Sequence, residues 1–188
     1  ERKAAKALIA SCQAYDQTFR EPYLSNILNF DPNMPAFFLY YQEGELLGLL
    51  TVYADDHDVE VAILVAPDYR RKGIARSLFD KFQKETEPYP IRSVTFQTER
   101  VFLDRHPDLA SHWGVVEDEE TETWLGRDKT PYALDSRSDV KVLLADPAYV
   151  EEIAQLHHQA FSDPEETLDV SRRYITEALK DSDGLLYI

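Results

Sequence analysis

Residues 59–82 read VEVAILVAPDYRRKGIARSLFDKF, and this stretch decides the fold. Val59, Val61, Ile63 and Val65 alternate with Glu60, Ala62 and Leu64, a β-branched run that predicts a strand covered on both faces. Pro67 ends it. From Ile74 the apolar residues fall at Ile74, Ala75, Leu78, Phe79 and Phe82, the three-and-four spacing of a helix with one buried side. Between strand and helix lie Arg70, Arg71, Lys72 and Gly73. A turn of this kind presents unpaired backbone N–H groups at the positive end of a helix dipole, a place for phosphate oxygens. Gly73 lets those oxygens approach the main chain, and cationic side chains add attraction. Cations at a helix start oppose the dipole unless an anion binds there, which favours a ligand over a merely solvated basic turn.

The sequence Val65-Ala66-Pro67-Asp68-Tyr69 followed by Arg70-Arg71-Lys72-Gly73-Ile74-Ala75 resembles the acetyl-CoA signature of the GNAT superfamily of N-acyltransferases, Gln/Arg-x-x-Gly-x-Gly/Ala. The hexapeptide alone is weak. The strand that enters it and the helix that leaves it give it meaning. The resemblance implies an α/β fold whose central sheet is mostly antiparallel, with splayed central strands flanked by helices. It implies acetyl-CoA as cosubstrate, with the backbone of Arg71, Lys72, Gly73, Ile74, Ala75 and Arg76 on the pyrophosphate, charge from Arg70, Arg71 and Arg76, and main-chain bonds from Leu64 and Val65 to pantetheine. A Walker phosphate loop does not fit, since no Lys-Ser/Thr follows Gly73.

The 188 residues are enough for a real core, and 44% of them are hydrophobic. With 35 acidic and 20 basic residues the net charge is −15, which argues against nucleic acid or an anionic membrane as partner and mildly favours an amine. Cys12 is the only cysteine, which excludes an intramolecular disulfide and a thiol metal cluster and fits a reducing cytoplasm. No apolar run approaches membrane-spanning length. The sequence starts without Met inside a helical pattern, as expected of a fragment.

Residues 2–15 predict a helix with Ala4, Ala5, Leu8, Ile9, Cys12 and Tyr15 on one face. Residues 18–35, punctuated by proline and rich in aromatics, predict a short helix within a connection that the family resemblance makes a wall of the acceptor site. Residues 36–41 and 46–54 predict a hairpin around Gln42-Glu43-Gly44-Glu45, residues 59–66 a third strand, and 91–98 a fourth. In the family that fourth strand diverges from its neighbour and the gap admits pantetheine. Residues 101–113 predict a helix broken at His106-Pro107, and Trp113-Gly114-Val115-Val116 then resembles the family's helix-to-strand corner, which implies a strand opening there with 121–126 as its hairpin partner.

Residues 131–139 read as a linker after a first domain of residues 1–130 that lacks its initial strand. Beyond it, Gln159-Ala160-Phe161-Ser162 mirrors Gln13-Ala14-Tyr15-Asp16, and Leu185-Leu186-Tyr187-Ile188 mirrors Phe38-Leu39-Tyr40-Tyr41 at nearly the same offset. Residues 140–188 therefore read as the opening of a second copy: a strand at 140–144, a helix at 149–161 and a strand from 185. Homodimerisation or an intramolecular pseudo-dimer follows from that reading, and pairing of 140–144 with the first sheet is the alternative.

For chemistry, the family-like base is Glu60 on the central strand, with His57 nearby. The tyrosine that many relatives use as general acid falls at Ala110, so His112 is the substitute candidate. The acceptor is the amine of a small molecule or peptide, which attacks the thioester directly with no covalent enzyme intermediate. A non-catalytic acyl-CoA-binding or scaffolding module is the alternative. His157-His158 invite a metal but lack an i+3 or i+4 partner, so no metal is expected.

Overall fold

A computed structural model describes residues 1–118, 123, 143–161 and 167–180. Four strands, β1 (Phe37–Gln42), β2 (Glu45–Tyr53), β3 (Asp58–Val65) and β4 (Ser93–Phe96), form one sheet in the order β1-β2-β3-β4. The first three are antiparallel neighbours and β4 joins β3 in parallel, so the mixed, mostly antiparallel α/β sheet expected from the sequence is present. The β1–β2 turn takes left-handed backbone at Glu43 (φ 52°) and Gly44 (φ 87°), the primed geometry that suits strand twist.

Helices cover both faces. Helix α1 (Arg2–Asp16) lays Ala5, Leu8, Ile9 and Cys12 on Leu49, with Leu39 and Leu64 beside them. Helix α2 (Ile74–Thr86) lays Ile74, Leu78 and Phe82 on Phe38, Leu50, Val52, Val61 and Val65. Each such side chain, taken from water, stabilises the fold by about 1.5–3 kcal/mol. The α2 face is unusually close at Gly48, where a Cβ would stand 2.7 Å from Ile74 Cγ2 and 3.0 Å from Leu78 Cδ1. A register shift between Tyr40 and Tyr41 lies beside that contact.

After β4 come α3 (Arg100–Arg105) and α4 (Leu109–Trp113), divided where the sequence predicts, at His106-Pro107. Helix α5 (Val150–Phe161) lies where 149–161 was expected to be helical, and α6 (Leu168–Ala178), not foreseen, packs against it.

Three expectations need correction or fall elsewhere. Residues 18–35 hold turns and no helix, because short polar side chains take the backbone groups a helix needs: Asp31 Oδ1 accepts from Asn33 N–H at 2.8 Å, and Asn26 Nδ2 donates to Pro32 O at 3.0 Å. Residues 115–118 form no strand after the corner. The hairpin partner at 121–126, the linker at 131–139, most of the strand at 140–144 and the strand from 185 lie outside the described residues, apart from Thr123 and an isolated bridge at Leu144.

Candidate active site

The central feature is the point where β3 and β4 part. Their pairing runs from Asp58–Ser93 to Val61–Phe96 and closes with Gln97 N–H donating to Val61 O at 3.0 Å. β3 continues to Val65. On its other side, Ala66 N–H donates to Leu47 O at 2.9 Å, so the main chain of residues 62, 64 and 66 faces β2 while that of 61, 63 and 65 faces the β4 side. This phase corrects one expected contact. Leu64 engages β2, and Ile63 and Val65 are the residues whose backbone faces the widening gap.

At the end of β3 a single 3-10 turn, Pro67–Tyr69, leads into Arg70 and Arg71. Arg71 takes left-handed backbone (φ 59°), as does the N-cap Gly73 (φ 82°), whose position has open space around it. No side chain caps α2 and its first turn has no acid. The first bond into the helix is Ser77 N–H to Gly73 O at 2.9 Å, which leaves the N–H groups of Ile74, Ala75 and Arg76 directed outward, as an anion requires. Lys72 Nζ lies 4.5 Å from the Tyr69 ring centroid, and the Arg76 guanidinium lies 4.3 Å from that of Trp113. Trp113 in turn packs on Phe79 and Phe96, which ties α4 to the helix start.

Arg70 departs from its expected role. Its guanidinium makes a bidentate pair with Asp16, at 2.7 and 2.6 Å, and its Nε donates to Val65 O at 3.0 Å. Asp16 is buried at the end of α1. The hydrogen bond to Asp16 holds the Arg70 pKa above the ordinary arginine value. Arg70 thus locks α1 to the end of β3, and the cations presented at the helix start are Arg71, Lys72 and Arg76.

The two faces of β3 differ. Val59, Val61 and Ile63 point to α2, whereas Leu64 points to α1, so Glu60 lies on the α1 face, directly opposite Tyr53 on β2. There it is partly exposed, with Glu60 Oε2 3.8 Å from Arg20 Nη2. The Phe19-Arg20 backbone is gripped from two sides. Glu99 Oε1 accepts both N–H groups at 2.8 Å, and Gln13 Nε2 donates to both carbonyls at 3.1 Å. Arg105 Nη1 also donates to Asp16 O at 2.7 Å and its Nη2 to Gln17 Oε1. These links bind the segment after α1 to the segment after β4, bridging the two sides of the gap.

His57 is directed elsewhere. Its ring meets the Phe30 ring edge-on at 4.7 Å, and Phe30 belongs to the α2 face, opposite to Glu60. His112 is exposed on the last turn of α4, next to Trp113, and Ala110 stands one turn before the corner, where Val115 N–H donates to its carbonyl at 3.0 Å. Among the described residues no group of three or more metal-ligating side chains exists, and His157 bonds Ser171 Oγ through Nδ1 at 3.2 Å. No helix among them is long and apolar enough to cross a membrane.

What the sequence did not reveal is the work of Asp16, Glu99 and Gln13. Asp16 and Glu99 act on groups 54 and 79 to 80 residues away and Gln13 on carbonyls six and seven residues on, and no local pattern marks these pairings.

Comparison with known proteins agrees with this arrangement. The sequence model of the acetyltransferase (GNAT) family matches residues 4–101, which runs from α1 through the parting strands to the first turn of α3. Among solved structures, a GCN5-related N-acetyltransferase from Sphaerobacter thermophilus is similar with a TM-score of 0.58 at 17% identity, over 98% of this chain and 63% of that one. The chain therefore spans under two thirds of that relative's length. An aminoglycoside acetyltransferase from an uncultured soil metagenomic sample gives 0.46 at 20% identity over 68% of this chain and 91% of that one. The ribosomal-protein-S18-alanine N-acetyltransferase of Escherichia coli gives 0.44 at 17%, over 58% and 68% respectively. No match is found among curated protein sequences. With the family model covering more than half of the chain, the chain belongs to the GNAT acetyltransferase family.

Proposed function

We propose that this chain transfers an acetyl group from acetyl-CoA to a primary amine of a small molecule or peptide by direct attack, with no acyl-enzyme. The observation that carries this reading is the end of β3–β4 pairing at Val61–Phe96 on a strand that runs on into an uncapped helix start. The residues present fit the coenzyme: outward N–H groups of Ile74, Ala75 and Arg76 with Arg71, Lys72 and Arg76 around them suit its pyrophosphate, and the gap-facing backbone of Ile63 and Val65 suits its amide-bearing arm. When bound, the thioester supplies the activated acyl carbon.

Glu60 takes the proton that the amine loses as its C–N bond forms, directly or through one water. Its place on the α1 face, beside the segment 18–24, makes that face the acceptor side. His112 is the proposed proton donor to the departing sulfur. The main chain of Ile63 and Val65 supplies the polar groups that orient the reacting carbonyl.

Ala110, where a tyrosine acid is usual, favours a second reading: a module that binds acyl-CoA without turnover. Titration calorimetry with CoA, followed by a free-thiol release assay on acetyl-CoA with a panel of amines, aminoglycosides and peptides, tests both. Binding with thiol release supports the enzyme, binding with none across the panel supports the module, and no binding overturns both.

A further inference from the structure

Helix α1 covers only the half of its sheet face around Leu49 and Leu64. The remaining half, around Tyr53 and Glu60, is met by Tyr23, whose ring stands edge-on to Tyr53 at 5.1 Å. Behind these lies α6. Arg173 on α6 donates through Nη1 to Asn29 O at 3.2 Å and through Nη2 to Asp55 O at 3.1 Å. One guanidinium thus grips the carbonyls of two separate loops, one in the segment before β1 and one in the β2–β3 turn. In the same turn the Tyr53 hydroxyl donates to Asp55 Oδ2 at 2.9 Å.

The gripped loops are joined to each other as well. Asn29 Oδ1 accepts from Ala54 N–H at 3.0 Å, and Phe30 N–H donates to Ala54 O at 2.6 Å. Asn29 is buried, and its Nδ2 has no partner. These bonds join the two loops to each other, and α6 adds a further restraint from outside them. Arg173 is that restraint: its planar fork fits two carbonyls at once, which a lysine ammonium does less well.

We infer that the α5–α6 pair is part of the acceptor side of the site, and that Arg173 is a positioning residue that holds residues 23–29 and the start of the β2–β3 turn, 53–55, so that Tyr23 and Tyr53 stay beside Glu60. The kinetic half of this inference rests on the acyl-transfer reading, and the structural half does not. The hydrogen bonds of Arg173 end on Asn29 and Asp55, neither of which lies on β3 or α2, so its effect falls on the amine and not on the coenzyme.

The test compares the full chain with Arg173→Ala and Arg173→Lys. Loss of two charge-assisted bonds to main chain predicts a roughly tenfold rise in KM for the amine in Arg173→Ala, a smaller rise in Arg173→Lys, and an unchanged Kd for CoA. Hydrogen exchange followed by mass spectrometry reads the same contact without turnover: peptides spanning 23–30 and 53–57 exchange faster in Arg173→Ala while those of α2 do not. Unchanged exchange in those peptides overturns the inference, whatever the kinetics. Equal loss of coenzyme affinity and amine KM also overturns it, since that is general loosening. If the native chain turns over no amine, the acyl-transfer reading fails separately, and the exchange result alone decides the positioning role. Should Arg173→Ala not fold, the same exchange comparison on Arg173→Lys decides it.

Discussion

Arg70 and Asp16, 54 residues apart, meet through two parallel N–H···O bonds of 2.7 and 2.6 Å at the junction of α1, β3 and the basic turn. With side-chain exposures of 23% and 9%, the pair is largely removed from water. Removing one partner leaves the other charge buried, so Arg70→Ala or Asp16→Asn costs about 2–3 kcal/mol of stability. Urea denaturation measures it. A substitution that leaves the midpoint in place while abolishing CoA binding contradicts the structural role assigned to Arg70.

Around Gly73 the opposite balance holds. Arg71→Glu and Lys72→Glu each lower CoA affinity by about five- to tenfold, more at low salt, with the unfolding midpoint nearly unchanged. Gly73→Val meets no neighbouring atom, yet φ of 82° suits a β-branched residue poorly, at a cost of about 1–3 kcal/mol that falls on the geometry of the N–H groups. Calorimetry with CoA checks all three, and wild-type affinity in the set removes this turn from the binding site.

Gly48 controls the same helix start from beneath. A Cβ 2.7 Å from Ile74 Cγ2 pushes the first turn of α2 off the sheet, so Gly48→Ala destabilises by about 1–3 kcal/mol and also weakens CoA binding, although Gly48 lies on a different element from the turn. A variant with lost stability and full affinity argues against this coupling.

Glu60→Gln keeps the side chain's size and removes its basicity. The rate with a saturating amine falls about a hundredfold at neutral pH and recovers as rising pH deprotonates the amine in solution, while CoA affinity stays the same. The exposed Arg20 pair adds little stability, so the fold is unaffected. A flat ratio of wild-type to variant rates across pH denies Glu60 the role of base.

Burial pushes the Cys12 thiol above its ordinary value of 9.0, against the lowering influence of the nearby Arg70 guanidinium. The native thiol therefore holds its proton where an unfolded one ionises. Its contribution to stability is intact below pH 9.0 and declines as pH rises beyond it. Iodoacetamide at pH 8 is expected to label Cys12 only as fast as the chain opens, accelerating with urea in step with unfolding. Rapid labelling of the native protein refutes the buried placement.

The strand, basic turn and helix of residues 58–86 were legible in the sequence because each rests on local alternation, periodicity and breakers. Arg70 was not. Nothing near it in the chain tells that its partner is Asp16, so it read as another phosphate cation. The connection 18–35 read as partly helical from its aromatic spacing, but Ser, Asn and Asp side chains there bond the backbone and win against a helix. Helix α6 escaped notice because Asp169, Arg172, Arg173 and Glu177 dilute the apolar positions Leu168, Tyr174 and Ile175. The gap between β3 and β4 is a matter of where two backbones stop pairing, which side-chain patterns do not encode.

The stitches across the gap join residues 79 to 89 positions apart, Glu99 to Arg20 and Phe19, Arg105 to Asp16 and Gln17. Closing loops that long is entropically costly and slow, whereas β1, β2 and β3 meet through short hairpins. During folding the meander therefore zips early and the links across the gap are made last. Under mild denaturant the order runs backwards: the links across the gap come undone before the sheet melts.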